Sequence, residues 1–224
     1  MLLYGNIEKQ EKMKMIAKNI ELCEKCPLHL TRKNTVPGSG NVDSPIMFVG
    51  EGPGADEDAL GEPFVGRAGQ LLEKMLKELA KLERKDVFIT NIVKCRPPQN
   101  RMPTKEEIKE CQSYLDAQIL VIKPKIIVTL GSTPLNYFTG LNKMTESRGH
   151  FYDWHGNIKI FATFHPSYLL RNQSNAKGSP RWFASLDMTL VGFMYRAFIQ
   201  GKSTEEVVKI IEEKVKSLEP SGGI

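Results

Sequence analysis

The sequence predicts an α/β fold: a parallel sheet with helices against both of its faces. Two observations carry this. Four short apolar, β-branched runs read as strands, at residues 46–49, 87–93, 126–130 and 158–164. Stretches of helical periodicity lie between and after them, and strands alternating with helices argue a parallel sheet covered on both sides.

The elements follow in order. After the first strand, Leu71, Leu72, Met75, Leu76, Leu79 and Leu82 recur at helical spacing. After the second, Thr104 with Glu107 three residues on forms a capping box that opens a helix carrying Ile108, Cys111, Leu115, Ile119 and Ile122 on its inward face. Ser203 and Glu206 repeat the device before Val207, Val208, Ile210, Ile211, Val215 and Leu218. Residues 221–224, after Pro220, are expected to fray. The whole is read as one domain over 1–224, with a core at about 22–188 and a C-terminal helix at about 203–218.

Composition narrows the function classes. With 41% apolar and 25% charged residues the chain is globular rather than disordered. No stretch approaches a membrane span, and the N-terminus turns charged at Glu8 and Lys9, so no signal peptide is read and a cytoplasmic, nucleoid-associated protein is expected. A net charge of +5 permits a nucleic-acid partner through a local basic surface without demanding one.

The cysteines are Cys23, Cys26, Cys95 and Cys111. In a reducing compartment a disulfide framework is not expected. Four thiols with one tight C-x-x-C pair suit a tetrahedral metal centre, and zinc and an iron–sulfur cluster both take four thiolates. No cysteine is left over, Pro27 turns the chain after Cys26, and Cys111 lies on the apolar face of its helix. A thioredoxin-like redox pair is disfavoured, because Cys23 and Cys26 lack a strand-then-helix context.

In parallel sheets the ligand sits beyond the carboxyl ends of the strands. The loops there carry unusual chemistry. Gly50-Glu51-Gly52-Pro53-Gly54 allows main-chain N–H groups close to a ligand, yet it has neither dinucleotide-binding glycine spacing nor the Lys-Ser/Thr of a phosphate loop. Asp56, Glu57, Asp58 and Glu62 follow, each read singly as solvated. Phe64, among Gly61, Pro63 and Gly66, is either a core plug or a stacking face for a planar ligand. Asn91, inside an apolar run, needs partners, and its acceptor and two donors match an imide edge. His165 ends the fourth strand, where an imidazole can donate to a developing anion. Ser132 and Ser167 are small hydroxyls placed to bind phosphate, with Arg96, Arg101 and Arg171 adding charge on the same side.

At these loops the sequence resembles the family 4, iron–sulfur uracil-DNA glycosylases. The resemblance rests on Gly50–Asp58, Gly61–Gly69, Thr90–Pro98, His165-Pro166-Ser167 and the four-cysteine pattern, and covers roughly residues 22–188. It implies a three-layer α/β/α sandwich around a four-stranded parallel sheet. It implies a 4Fe–4S cluster on Cys23, Cys26, Cys95 and Cys111, and excision of uracil from DNA to leave an abasic site. The base would be flipped out of the duplex. Phe64 would stack on it, Asn91 would read its N3–H and O4, and Glu57 would lie against C5 and exclude the thymine methyl. His165 would donate to O2, with main-chain N–H groups near Glu51 and Gly52 helping to bind the leaving anion. Ser132 and Ser167 would pinch the DNA backbone and Leu169 would fill the vacated stack; on the residues alone Arg171 is the added DNA-binding charge.

The resemblance has one departure. The best-known branch of the superfamily has an Asp two residues after the first glycine, orienting the attacking water, and Gly52 stands there. Glu51 is the neighbouring carboxylate for that role. The rival classes are an iron–sulfur DNA-binding or electron-transfer protein, a superfamily member with shifted base specificity, and a zinc-stabilised hydrolase. A monomer is expected, and a terminal peptide is where a contact with a replication clamp would sit.

Overall fold

The computed structural model describes residues 2–218, so the tail expected to fray lies outside the described residues. Its centre is the expected parallel set: β2 (Ile46–Gly50), β3 (Phe88–Asn91), β4 (Ile126–Leu130) and β6 (Lys159–Thr163). β3 and β4 flank β2, and β6 pairs with β4, all in parallel. Among the described residues the sheet nevertheless has six strands rather than four: with β1 (Ser39–Gly40) and β5 (Phe151–Asp153) at its edges, the order is β1-β3-β2-β4-β6-β5. β1 adds antiparallel to β3, and β5 antiparallel to β6. Two or three residues give no readable alternation, so these edges carry no periodic signal. They also shorten the open edges of the sheet.

Successive side chains of a strand point to opposite faces. Ile46 and Phe48 of β2 join Ile126, Val128 and Phe161 on one face, against Leu72 and Met75 of α3 (Arg67–Met75), Met188, Val191 and Met194 of α8 (Pro180–Ile199), and Val207 and Ile211 of α9 (Thr204–Leu218). Met47 and Val49 join Ile127 and Ile160 on the other, against Leu115, Ile119 and Ile122 of α4 (Lys105–Ile122) and Phe138 of α5 (Ser132–Thr139). Two apolar clusters, one per face, make the three layers.

Both capping boxes form. Thr104 Oγ1 accepts from the Glu107 N–H at 3.2 Å while Glu107 Oε2 accepts from the Thr104 N–H at 2.8 Å. Ser203 and Glu206 do the same at 3.2 and 2.7 Å. The apolar run after β2 begins as α3 and continues through a π-helical turn, Leu76–Ala80. There α8 crosses so closely that a Cβ on Gly192 would lie 2.2 Å from the Ala80 carbonyl oxygen. The N-terminal helix α1 (Leu2–Glu21) packs on α4 and delivers the chain to Cys23 and Cys26.

The candidate base- and DNA-contacting residues singled out above lie in or beside the loops that leave the carboxyl ends of the four parallel strands. Three of these loops begin α-helices: α2 (Ala55–Leu60) follows β2, α5 follows β4, and α7 (Pro166–Arg171) follows β6. The remaining short helix, α6 (Met144–Ser147), precedes β5.

Candidate active site

The site is assembled on Gly50, the last residue of β2. A Cβ there would lie 2.4 Å from Asn91 Oδ1 and 2.6 Å from Phe64 Cζ, so only a glycine lets the amide and the ring edge meet over the strand end. The Phe64 and His165 rings are 5.8 Å apart between centroids, tilted by 37°. Amide, ring and imidazole therefore border one space.

Asn91 is buried, and its Oδ1 has no hydrogen-bond partner among the described residues. An unmet buried acceptor costs about 1–3 kcal/mol. Here it faces the Phe64 edge, where an N–H donor of a planar ligand would satisfy it. Phe64 holds a left-handed backbone, φ +53°, that bulky residues rarely adopt.

His165 is held in one tautomer. Its Nδ1 accepts from the Ser167 main-chain N–H at 3.1 Å and lies 2.7 Å from Ser167 Oγ. A ring nitrogen that accepts carries no proton, so the proton of the neutral ring is on Nε2, which is the donor left for a ligand. Burial, and the Arg171 charge nearby, push the imidazole down to about 4 from 6.5, so it is neutral at pH 7. Behind it a Cβ on Gly131 (φ +93°) would come within 3.0 Å of His165 Cβ.

Glu51 and Glu57, predicted from one loop, have different fates. Glu57 is buried; Oε2 accepts from the Gly54 N–H at 3.1 Å, and Oε1 from the Val65 and Gly66 N–H groups at 2.9 Å each. Its carboxylate is held by the main chain, which corrects the solvated reading. Glu51 accepts a hydrogen bond from the Thr133 hydroxyl at Oε2, and it is half-buried.

Leu169 is a second correction. It is 1% exposed and packs in the core, so as placed it cannot enter a DNA stack. In a helix as short as α7 no periodicity reveals which of the two leucines points inward. Ser132 and Arg171 are exposed at this end of the sheet, and Ser167 is half-buried against His165. Arg101 is tied to Glu107 by two hydrogen bonds of 2.8 and 2.7 Å, so its charge is already paired.

A family model of the uracil DNA glycosylase superfamily matches residues 37–187. The chain belongs to that superfamily. It is 52% identical over 169 residues to the type-4 uracil-DNA glycosylase of Thermotoga maritima, spanning 75% of this chain and 88% of that protein. It is 43% identical over 207 residues to the type-4 uracil-DNA glycosylase of Saccharolobus solfataricus, spanning 86% of this chain and 96% of that one. A third type-4 uracil-DNA glycosylase, from Sulfurisphaera tokodaii, is 46% identical over 175 residues, 75% of this chain and 80% of that protein. Relatives of this identity and coverage place the chain among the type-4 members.

In this superfamily member the four cysteines are all free thiols lining one cavity, with Ile20, Leu28, Val93 and Tyr114 among its walls. Arg32 Nη1 donates to Cys95 Sγ at 3.3 Å, and the Lys94 N–H to Cys111 Sγ at 3.3 Å. Burial pushes the Cys26 and Cys95 thiols up, and Cys111 to about 11. Among the described residues no group of three or more His, Cys, Asp or Glu side chains is set to hold a metal ion.

Two functional neighbours escaped the sequence reading. Thr133, next to Ser132 in the first turn of α5, is the partner of Glu51. Lys94 is fully buried, and its Nζ donates to Thr90 Oγ1, the Asn91 carbonyl and Gln118 Oε1 at 2.7, 2.8 and 2.7 Å. Its side chain thereby holds the backbone of Asn91, while its own N–H reaches Cys111. A lysine standing directly between an apolar run and Cys95 was the available signal.

Proposed function

We propose that this protein excises uracil from DNA, hydrolysing the bond between N1 of the base and C1′ of the sugar. The observation that carries it is the buried Asn91 Oδ1 without a partner, beside Phe64 and opposite a neutral His165. Uracil presents an N3–H donor between two carbonyl acceptors. Asn91 accepts from N3–H and donates to O4, Phe64 covers the ring face, and His165 Nε2–H donates to O2. Cytosine would set a lone pair at N3 against Asn91 Oδ1 and leave that acceptor unmet. The base must leave the duplex to reach this space, at a cost of a few kcal/mol.

As the C1′–N1 bond breaks, its electron pair leaves with the base and the sugar becomes an oxocarbenium ion. Donors fixed where charge develops act most strongly in such a space. His165 and the main-chain N–H groups near Gly52 are those donors. With Glu57 held by the main chain, Glu51 is the carboxylate that orients water toward C1′, with Thr133 holding it. The water oxygen bonds to C1′, and its proton passes to Glu51 or to solvent. Ser132, Ser167 and Arg171 face the DNA backbone.

Cys23, Cys26, Cys95 and Cys111 would hold a 4Fe–4S cluster. The donor set fits: four thiols line one cavity, with N–H donors on two sulfurs. The raised values of Cys26, Cys95 and Cys111 mean that binding the group displaces protons. Such a group joins three chain segments and supplies a structural cross-link.

The test is a uracil-containing oligonucleotide incubated with the protein and then cleaved with alkali. A break at the uracil, lost in Asn91→Ala, is expected; no break, or an unchanged rate in that variant, overturns the reading. Iron and sulfide analysis with a visible spectrum checks the cluster. For Glu51→Gln, single-turnover excision at the parental rate removes Glu51 from water activation.

A further inference from the structure

Phe64 is the pocket wall with the least favourable backbone, and the segment around it is bonded on both sides. Glu57 Oε1 takes the N–H groups of Val65 and Gly66. On the carbonyl side, Arg84 Nη1 donates to the Phe64 oxygen at 2.9 Å and Nη2 to the Pro63 oxygen at 2.6 Å. Arg84 comes from the turn before β3, Arg84–Asp86, and is half-buried. A planar guanidinium reaches two adjacent carbonyls at once; a lysine ammonium has no such fork. The start of α3 closes the space behind, since a Cβ on Gly69 would lie 1.9 Å from the Phe64 oxygen.

We infer that Arg84, which bonds the main chain behind the ring, is a positioning residue: with Glu57 it clasps residues 63–66 and fixes the Phe64 ring where the base stacks. A non-glycine residue at positive φ persists only where its surroundings over-determine it. The cation on two carbonyls and the anion on two N–H groups supply that. A ring fixed in advance binds without an ordering cost, so the clasp acts on affinity for the base. This rests on the proposed uracil pocket.

The experiment is a double-mutant cycle with free uracil as the probe, read as inhibition of excision from a single-stranded oligonucleotide. The parent, Arg84→Met, Phe64→Ala and the double variant are compared, with melting temperatures alongside. Arg84→Met is expected to weaken uracil inhibition about tenfold in the parent and to have little further effect in Phe64→Ala, since residues acting through one contact are non-additive. Arg84→Lys should fall between. If Arg84→Met does not fold, Arg84→Lys carries the same cycle. Equal losses in both backgrounds, or a lower melting temperature with unchanged inhibition, overturn the clasp. A parent that neither excises uracil nor is inhibited by it overturns the functional reading, and the clasp with it.

Discussion

Asn91 and Cys95 leave the same strand four residues apart, yet they enter regions built on opposite plans. At the pocket end every wall is pinned by protein: Phe64 beside Glu57, His165 by Ser167, and Asn91 through its carbonyl by Lys94. The Asn91 amide oxygen is buried there without a partner among the described residues. At the cysteine end, segments distant in sequence meet around thiols held mainly protonated by burial. The pocket is formed before its ligand arrives, whereas the proposed cluster would complete the cysteine cavity. Loss at the first should therefore appear in activity, and loss at the second in stability.

The largest effect should follow from breaking the cysteine side. Cys95→Ala removes one of four donors and uncouples the N-terminal segment from β3. A site that binds only the folded chain contributes its binding energy to folding. We expect a loss on the order of 5 kcal/mol, or roughly 10–20 °C in melting temperature, accompanied by loss of iron. Calorimetry with iron analysis checks this, and a variant melting with the parent would show that the cavity needs no occupant.

Asn91→Leu sharpens the contrast from the pocket side. It replaces an unmet buried acceptor with an apolar group of similar shape, a change that is neutral or stabilising. Activity should fall about 100- to 1,000-fold, the range for losing one electrostatic partner of a transition state. The expected signature is an equal or higher melting temperature with excision nearly abolished. A destabilised variant would mean that Asn91 has an internal structural duty instead.

Leu169→Ala tests where α7 belongs in this division. A leucine buried in the core should cost about 2–5 kcal/mol when truncated to alanine. As a core residue it should alter excision from single- and double-stranded DNA alike. A selective loss on duplex DNA, with stability unchanged, would return Leu169 to the stack-filling role.

The sequence made the parallel strands, both capping boxes and the inward face of Cys111 legible, because each rests on local periodicity or a fixed spacing. Asn91 was legible for the same reason, as an amide standing inside an apolar run. What escaped depends on contacts between distant segments. β1 and β5 exist through pairing with β3 and β6, not through any pattern of their own. Glu51 and Glu57 share composition and loop, and only the fold shows that Glu57 turns back onto Val65 and Gly66 while Glu51 meets Thr133. Lys94 reads as a surface charge until Gln118, 24 residues later, is found beside it.

The smallest effect concerns the protonation of His165. Its folded value, about 4, lies below the ordinary 6.5, mainly through burial and secondarily through Arg171. Between those two values the unfolded chain binds the extra proton, so this residue's contribution to stability is complete above about pH 6.5 and declines as the pH falls toward 4. An imidazole resonance followed by NMR should stay neutral through pH 6.5 and titrate near 4. Arg171→Ala should move that midpoint upward, though not to 6.5, because burial remains. A ring that titrates at 6.5 in the parent would mean the pocket admits water freely, and the contrast between a preformed pocket and a cavity completed by its occupant would fail at its better-defined end.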